Sequence, residues 1–393
     1  MDLLTLAALC HAGLVAVIAV DLYRGHRRLD YLRDAPAVDV AAAPSLSVVV
    51  AARNEAEHLD ASLQSLRAQD YPHLDILVVD DRSTDATPEI VRAMADADAD
   101  AAASDAARPR VRGMRVDALP EGWLGKNHAL HAGAATVGSA WILFTDGDIQ
   151  FAPRALRRAI GYAIAHRLDH LVAAPQVRVQ GWWLQAAIGA FTMFFALYAR
   201  PWRARDARSR HYIGVGAFNL VRADTYRRAG GHTALRLRPD DDMLLGKVLK
   251  RAGARQDAVY GIEQVVVPWY RSVRELTLGL EKNAFAGLGY SVTMVIGGCL
   301  GLLGMNLLPF VALAIEDGAA RWAWGTSCAV LVIMAGGSAG HAGLPRYTGL
   351  LLPFTALLQA WIIVRATALT LYRGGIRWRD TFYPLAALRG NRV

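Results

Sequence analysis

Three short apolar runs, each ending abruptly in polar or acidic residues, constrain the fold of this chain more than any other feature. The runs are residues 47–52, 76–79 and 141–144. Runs of this length between turn residues are typical of strands buried in a parallel sheet. Leucines at helical spacing from Leu59 to Leu66, and capping residues from Ser83 onward, predict a helix after each of the first two strands. The alternation predicts an α/β fold with a doubly wound, mostly parallel sheet.

The third run ends in two carboxylates separated by one glycine, Asp146-Gly147-Asp148. Open α/β sheets bind ligands at the carboxyl ends of their strands, so these carboxylates are expected at the mouth of a crevice. Mg²⁺ and Mn²⁺ are hard cations that one or two carboxylates and substrate phosphates commonly hold. An ordinary acidic turn has the same pattern. Together with the blocks described below, the tripeptide predicts a Mg²⁺ or Mn²⁺ site for a nucleotide-sugar diphosphate.

Apolar residues make up 54% of the chain, and their excess lies near its two ends. Residues 3–20 are almost wholly apolar, and a basic cluster from Arg24 to Arg33 follows them. A signal peptide carries its positive charge before the apolar core, so this segment is predicted to be a retained membrane anchor. By the positive-inside rule, the residues after the anchor are expected in the cytoplasm of a multi-pass cell-membrane protein.

Three further apolar stretches follow, at residues 288–315, 322–340 and 347–371. Each is near the ~20 residues that a membrane-spanning helix needs. Four crossings in total would place the C-terminal tail outside, whereas its arginines favour the cytoplasm, unless one segment is re-entrant or interfacial. Arg365, within the last stretch, is expected to snorkel, to pair inside the bundle or to mark the exit from the bilayer.

The formal net charge is +8, but the chain has no helix-turn-helix, RNA-binding or zinc-finger signature. Anionic lipid headgroups in a bilayer are therefore the expected partner, and nucleic acid is not. The three cysteines, Cys10, Cys299 and Cys328, all fall in predicted membrane helices. A disulfide framework and a cysteine-based metal site are thereby excluded.

Four blocks of residues occur in the order and spacing of family-2 glycosyltransferases with a GT-A fold, a Rossmann-like fold. The blocks are residues 47–55, 78–85, 122–130 and 145–148. The chain resembles this family over roughly residues 44–270. Its anchor and C-terminal apolar block resemble the membrane-bound branch, in particular bacterial enzymes that glycosylate carotenoid or hopanoid lipids and, more distantly, ceramide glucosyltransferase.

The resemblance implies roles for individual residues on the donor side. Asn54, Glu55, Asp80 and Asp81 would contact the nucleoside. Lys126 would lie near the donor. Asp148 would be the direct metal ligand, and Asp146 would orient the sugar or the metal.

Residues 211–242 are expected to form the acceptor side. The residues singled out there are Gly214, Gly216, Phe218 and His232. Three consecutive aspartates end the segment, and adjacent like charges are costly unless a cation or a function holds them. The resemblance implies an acidic pair whose second member is the general base, so Asp242 is the expected base and Asp241 the alternative. Aspartate stands where glutamate often precedes the second acid, which leaves the register open by one residue.

These features predict a metal-dependent, inverting transfer of one sugar from a nucleotide-sugar donor to a hydroxyl or carboxyl of a membrane lipid. A processive polysaccharide synthase is an alternative, but the chain lacks the Gln/Arg-x-x-Arg-Trp motif of such enzymes and has few C-terminal spans. A membrane-tethered binding protein with a degenerate site is a second alternative. The Asp146/Asp148 pair and the three aspartates 240–242 argue against it, because a binding protein would not need both.

The sequence also predicts a division into six segments. They are a transmembrane anchor at 1–23, a basic linker at 24–43, the catalytic domain at 44–270, an interfacial segment at 271–287, transmembrane helices at 288–372 and a basic tail at 373–393. Within the catalytic domain, the apolar stretch 182–198 is expected to be either core or an interfacial helix that brings a lipid to the site.

Overall fold

A computed structural model of the protein describes residues 2–72, 74–102 and 109–393. They form two compact units. The helical unit contains Met1–Arg28, Val177–Arg200 and Trp269–Gly390. The sheet unit contains Leu29–Gln176, Pro201–Pro268 and Asn391–Val393. Residues 177–200, inside the predicted catalytic domain of 44–270, group with the helical unit, and the predicted segment boundaries stay predictions.

An eight-stranded sheet has the strand order β3-β2-β1-β4-β7-β6-β8-β5. Its strands are β1 Leu46–Ala52, β2 Leu74–Asp81, β3 Arg110–Val116, β4 Trp141–Asp146, β5 Gln150–Phe151, β6 His170–Val177, β7 Asn219–Arg222 and β8 Gln256–Val267. Strands β1 to β4 are parallel, whereas β7 is antiparallel to β4 and β6, and β5 is antiparallel to β8. The predicted α/β fold is thereby confirmed, with an antiparallel half beside the parallel one.

The α-helices of the described residues fall in both units. In chain order they are α1 Leu3–His26, α2 Leu59–Arg67, α3 Thr87–Ala102, α4 Gly125–Thr136, α5 Ala155–Ala165, α6 Trp182–Ala199, α7 Ala223–Arg228, α8 Asp241–Arg251, α9 Val273–Gly287, α10 Val292–Asn306, α11 Leu308–Ile315, α12 Gly318–His341, α13 Leu352–Arg373 and α14 Leu385–Gly390. Short 3-10 helices cover Leu32–Asp34, Val40–Ala42, Pro201–Arg203, Gly231–Leu235 and Arg346–Leu351. A separate hairpin joins β9 Gly375–Trp378 to β10 Thr381–Pro384.

The parallel strands bring their carboxyl ends to one edge of the sheet. In the register of β1 with its two neighbours, Ala51 lies opposite Asp146 of β4 and Ala52 lies opposite Asp80 of β2. Helices α4 and α8 share one hydrophobic core with these strands. Its members include Val49, Leu77, Val79, Ile142 and Phe144 from the strands, Leu130 from α4, and Leu244, Leu245 and Leu249 from α8. This shared core holds the first turns of both helices at the acidic edge.

The helical unit contains helices that are long and apolar enough to cross a membrane. By length and composition they are Leu3–His26, Trp182–Arg203, Gly318–His341 and Arg346–Arg373, and the pair Val273–Gly287 and Val292–Asn306 would add one more span, bent by 115°. Arg365 pairs with Glu281 at 2.5 Å, and Arg373 binds the same carboxylate at 2.9 Å. Of the expected fates of Arg365, pairing within the bundle is therefore the one observed.

Candidate active site

Two loops at the carboxyl edge of the sheet are tied together by the side chain of Asn54. Its Oδ1 accepts a hydrogen bond from the backbone N–H of Thr84 at 2.8 Å, and its own backbone N–H donates to Ser83 Oγ at 3.0 Å. Asn54 adopts a left-handed conformation with a φ of 54°, which asparagine tolerates better than most residues. The loops after β1 and β2 therefore form one unit.

Asp80 and Asp81 end β2 and are both buried. Asp81 is held by Arg82 at 2.8 Å and by Arg53 at 3.4 Å, so its charge is balanced within the protein. Asp80 accepts a hydrogen bond from Ser83 N–H through Oδ1, whereas its buried Oδ2 has no hydrogen-bond partner among the described residues. Arg115 Nη1 lies 3.4 Å from this Oδ2, so the charge of Asp80 is also balanced within the protein.

Lys126 lies in the first turn of α4 and reaches the acid at the end of β4. Its Nζ is 2.6 Å from Asp146 Oδ1. Burial disfavours its charge, but the carboxylates of Asp146, Asp241 and Asp242 outweigh burial and raise the pKa of the ammonium well above its usual value. Lys126 is therefore a fixed positive charge at the carboxyl edge.

Asp242, in the first turn of α8, joins the same cluster through Gly216. Its Oδ2 accepts a hydrogen bond from Gly216 N–H at 2.8 Å. A Cβ atom placed on this glycine would lie 2.8 Å from Asp146 Oδ2, 3.3 Å from Lys126 Nζ and 3.5 Å from Asp242 Oδ2. Three charged groups from three distant parts of the chain thus converge on one backbone position. They line a common cavity.

The three consecutive aspartates have different surroundings. Asp240 is bound by Arg238 through two contacts, of 2.9 and 2.8 Å. Asp241 and Asp242 lie in the first turn of α8, where the partial positive charge of a helix N-terminus stabilises carboxylates. For Asp242, burial raises the pKa of the carboxyl, and the nearby Lys126 opposes this effect. Of these three aspartates, Asp241 and Asp242 line the cavity.

Asp148 lies beside two further carboxylates. Burial, followed by the charges of Asp146 and Glu55, raises its pKa to about 7. Glu55 is near enough that a Cβ on Gly147 would touch its Cγ at 3.4 Å. Glu55 was predicted as a nucleoside contact, and its position beside the acidic turn could not be read from the sequence.

The donor set of these carboxylates fits a hard divalent cation. Clustered carboxylates whose charge is unfavourable are the environment that such a cation stabilises. No group of three or more histidine, cysteine or acidic side chains is arranged to hold a metal within the described part of the chain. One or two carboxylates are, however, the usual protein share when substrate phosphates supply the other ligands. The residues that would hold the ion are Asp148 and Asp146, with Glu55 beside them.

Of the residues predicted on the acceptor side, two line the cavity and two do not. Gly216 and His232 line the cavity. Gly214 packs against the backbone of α8, where an added Cβ would lie 1.7 Å from Asp242 O. Phe218 is fully buried and faces Phe151, with ring centroids 6.2 Å apart. Gly214 and Phe218 therefore pack behind the cavity and are not among the residues that line it.

Two kinds of residue in the site were not singled out from the sequence. Arg53 and Arg82 balance Asp81, although both lie within blocks that drew attention for their acids. Asn219 lines the cavity and donates a hydrogen bond through Nδ2 to Asp242 O at 3.4 Å. A polar asparagine within the apolar run 217–221 is the signal that would have found it.

Gly216→Ala is expected to separate activity from stability. The new methyl group would meet the Asp146 carboxylate and disturb its contact with Lys126, so kcat should fall by about 100-fold. The melting temperature should change little, because the displaced atoms belong to a side chain. Gly138→Ala is the matched control, since nothing lies within 4 Å of a Cβ there. Equal activities of the two variants would contradict the geometry described for Gly216.

His232 makes the stability of the sheet unit depend on pH. Its Nδ1 shares a hydrogen bond of 2.7 Å with Tyr226 OH, and burial, with the charges of His131 and Lys126, lowers its pKa to about 3. Because an unfolded histidine binds its proton near pH ~6.5, the stability held above that pH is lost as the pH falls toward 3. Between about pH 7 and pH 5 the loss from this group is ~2 kcal/mol.

His232→Gln should therefore lose less stability than the wild type over that pH interval. Thermal denaturation of the purified protein at about pH 7 and pH 5 measures the difference, with His166→Gln as the control at an exposed position. A wild type and a His232→Gln variant with the same pH dependence would show that His232 is not held neutral.

Comparison with known proteins identifies the fold. The mannosyltransferase PcManGT from Pyrobaculum calidifontis, in complex with GDP-Man and Mn²⁺, is similar over 96% of this chain and 100% of that chain, with a TM-score of 0.53 and 19% sequence identity. The mixed sheet with acids at its parallel carboxyl edge is a GT-A glycosyltransferase fold. Residues 47–226 match the model of the family "Glycosyl transferase family 2".

Similar proteins of known name cover parts of the chain. The succinoglycan biosynthesis protein ExoO of Rhizobium meliloti is 35% identical over 130 residues, which are 33% of this chain and 32% of ExoO. The 4,4'-diaponeurosporenoate glycosyltransferase of Staphylococcus haemolyticus is 32% identical over 106 residues, 27% of this chain and 24% of that protein. The protein of the same name from Staphylococcus aureus RF122 is 22% identical over 247 residues, 62% of each chain. The chain thus spans from about a quarter to less than two thirds of these relatives.

Proposed function

We propose that the protein transfers a single sugar from a nucleotide-sugar donor to a hydroxyl or carboxyl group of a membrane lipid at the cytoplasmic face of the membrane. The observation that carries this proposal is the convergence of Lys126, Asp146 and Asp242 around Gly216. Donor residues Asp80 and Asn54 lie at the same edge of the sheet. A donor phosphate and an acceptor hydroxyl would thus meet among groups of suitable charge.

The residues divide the chemistry of a single displacement between them. Asp242 is the proposed general base, which takes the proton of the acceptor hydroxyl as that oxygen attacks the anomeric carbon. Its carboxyl lies near the Lys126 ammonium, whose charge opposes the rise in pKa that burial causes. Lys126 supplies positive charge near the donor. Attack opposite the departing diphosphate gives inversion at the anomeric carbon.

Mg²⁺ or Mn²⁺ is the proposed cofactor, and Asp148 with Asp146 would hold it. When bound, such an ion acts as a Lewis acid that offsets the charge of the departing diphosphate. The carboxylate cluster of Asp146, Asp148 and Glu55 supports this assignment from the side of the protein. PcManGT, whose solved structure is a complex with GDP-Man and Mn²⁺, supports it by similarity of fold.

A lipid acceptor is supported by two independent observations. The chain has several helices that are long and apolar enough to cross a membrane. Two of its relatives are named 4,4'-diaponeurosporenoate glycosyltransferase. The similarity to ExoO, a protein named for succinoglycan biosynthesis, favours a second candidate function in polysaccharide assembly.

One experiment separates these functions. Membranes with and without the protein are incubated with UDP-glucose, UDP-N-acetylglucosamine or GDP-mannose and Mn²⁺, after which released nucleoside diphosphate and extracted lipids are measured by mass spectrometry. A lipid that gains the mass of one sugar supports the proposal. A ladder of products supports the polysaccharide function, whereas no release with any donor would leave the tethered binding protein as the better explanation.

A further inference from the structure

The side chain of Asn391, far from the active site in sequence, binds the loop that leads into α8. Its Oδ1 accepts a hydrogen bond from Leu237 N–H at 2.8 Å, and its Nδ2 donates to Ala234 O at 3.0 Å. One amide thus satisfies a backbone donor and a backbone acceptor of the same loop, residues 234–238, whose first two residues end the 3-10 helix Gly231–Leu235. Such a two-point contact fixes both the position and the direction of the loop.

Helix α4 and Leu124, the residue before it, bind backbone oxygens of the same loop. Asn127 Nδ2 donates to Arg238 O at 2.9 Å and also to Leu235 O, and Leu124 N–H donates to Arg236 O at 2.7 Å. Asn127 directly follows Lys126, whose ammonium binds Asp146. The loop is therefore held between Asn391 and the helix that carries the site lysine.

The residues after this loop are the acids of the site. Arg238 binds Asp240, and α8 begins at Asp241. Two positions beyond Asn391, the backbone oxygen of Val393 accepts a hydrogen bond from Lys247 of α8 at 2.7 Å. Residues 391–393 thus contact both the loop before the acids and the helix that carries them.

We infer that Asn391 is a positioning residue for Asp242, acting through the 234–238 loop. The inference rests on the proposed function, because it assigns to Asn391 the task of holding the proposed base in line with the acceptor. Asn391 itself contacts backbone groups of the loop, so its effect on transfer is indirect. Without its two hydrogen bonds, the loop and the first turn of α8 gain freedom that the contacts of α4 alone do not remove.

Asn391→Ala in the full-length protein tests this inference. We expect kcat for release of nucleoside diphosphate from the UDP- and GDP-sugar panel to fall by about 10- to 100-fold, with KM for the donor unchanged. We also expect faster hydrogen exchange of the backbone amides of residues 234–242, a readout that does not depend on activity. Arg392→Ala is the matched control, because this neighbouring side chain is exposed and should leave both readouts as in the wild type. Unchanged exchange in Asn391→Ala, or a loss shared with Arg392→Ala, overturns the inference.

A double-mutant comparison with Asp242→Asn distinguishes positioning from a general structural role. If Asn391 acts through Asp242, Asn391→Ala should cost little further activity once Asp242 has been replaced. A full additional loss in that background overturns the inference. An inactive Asp242→Asn together with a fully active Asn391→Ala overturns only the role of Asn391, whereas a fully active Asp242→Asn overturns the proposed base itself.

Discussion

Asp242→Asn is expected to lower kcat by about 10²- to 10⁴-fold, the usual contribution of a general base. The amide keeps the size of the carboxylate but cannot accept the proton of the attacking hydroxyl. KM for the donor should change little, because the predicted donor residues lie in the loop after β1, at the ends of β2 and β4 and in the first turn of α4, and not in α8. Steady-state release of nucleoside diphosphate, measured with varied donor and saturating lipid, gives both constants.

Two companion variants make this result interpretable. Asp224→Asn changes an exposed aspartate that pairs with Arg228 on the surface, and it should retain wild-type activity. Asp241→Asn tests the register, because the neighbouring acid is the alternative base. A larger loss in Asp241→Asn than in Asp242→Asn would move the role of base by one residue, and wild-type turnover in both would remove it from this helix.

Asp148→Ala and removal of divalent cations should each lower kcat by at least about 10³-fold, since charge stabilisation by a metal is worth several kcal/mol. Added Mn²⁺ should restore the chelated wild type and leave Asp148→Ala inactive. The measurement is turnover after treatment with EDTA, followed by titration with Mn²⁺ or Mg²⁺. Full turnover of the chelated wild type would contradict a metal-dependent reaction.

The melting temperature provides a second readout of the same site. A half-buried carboxylate with like charges beside it destabilises the metal-free protein, so Asp148→Ala should melt at a higher temperature than the wild type in EDTA. Mn²⁺ should stabilise the wild type and not the variant, because only the wild type binds it in the folded state. Asp117→Ala, at a side chain that is 88% exposed, is the control for loss of one negative charge.

The strands that the sequence predicts are those with a simple burial pattern. Strands β1, β2 and β4 are covered on both faces, so their residues form continuous apolar runs. The antiparallel half was not predicted, for reasons that its residues show. Strand β5 has only two residues, and β6 begins with His170, whose ring nitrogen hydrogen-bonds to Asn219 inside the sheet. Buried polar pairs of this kind interrupt the apolar pattern on which strand prediction depends.

The sequence predicts which acids belong to one cleft, but not the contacts between the side chains of the site. Each acid follows an apolar run or begins a helix, and such positions are visible in the sequence. The contact of Lys126 with Asp146, and the approach of Asp242 to Gly216, depend on the packing of α4 and α8 on one core. Phe218 was predicted in the acceptor region because it follows two glycines, a pattern typical of a binding loop, but its ring is buried.

Both ends of the apolar segment Trp182–Arg203 lead into the same sheet, which limits how this segment can cross a bilayer. Strands β6 and β7, which flank the segment Trp182–Arg203, pair with each other in one sheet. A segment that leaves and rejoins one folded body crosses an even number of times, and 22 residues, at about 1.5 Å each, suffice for one crossing of ~30 Å and not for two. This helix is therefore expected to lie within one leaflet.

The same parity applies to the stretch between Pro268 and Asn391, because residues 391–393 belong to the sheet unit. Two complete crossings and one re-entrant segment give the required even number, whereas three complete crossings give an odd number. With that topology we expect the arginines of residues 373–393 on the same side of the membrane as the sheet unit. An odd number of traversals would instead pull Asn391 away from the loop that it holds.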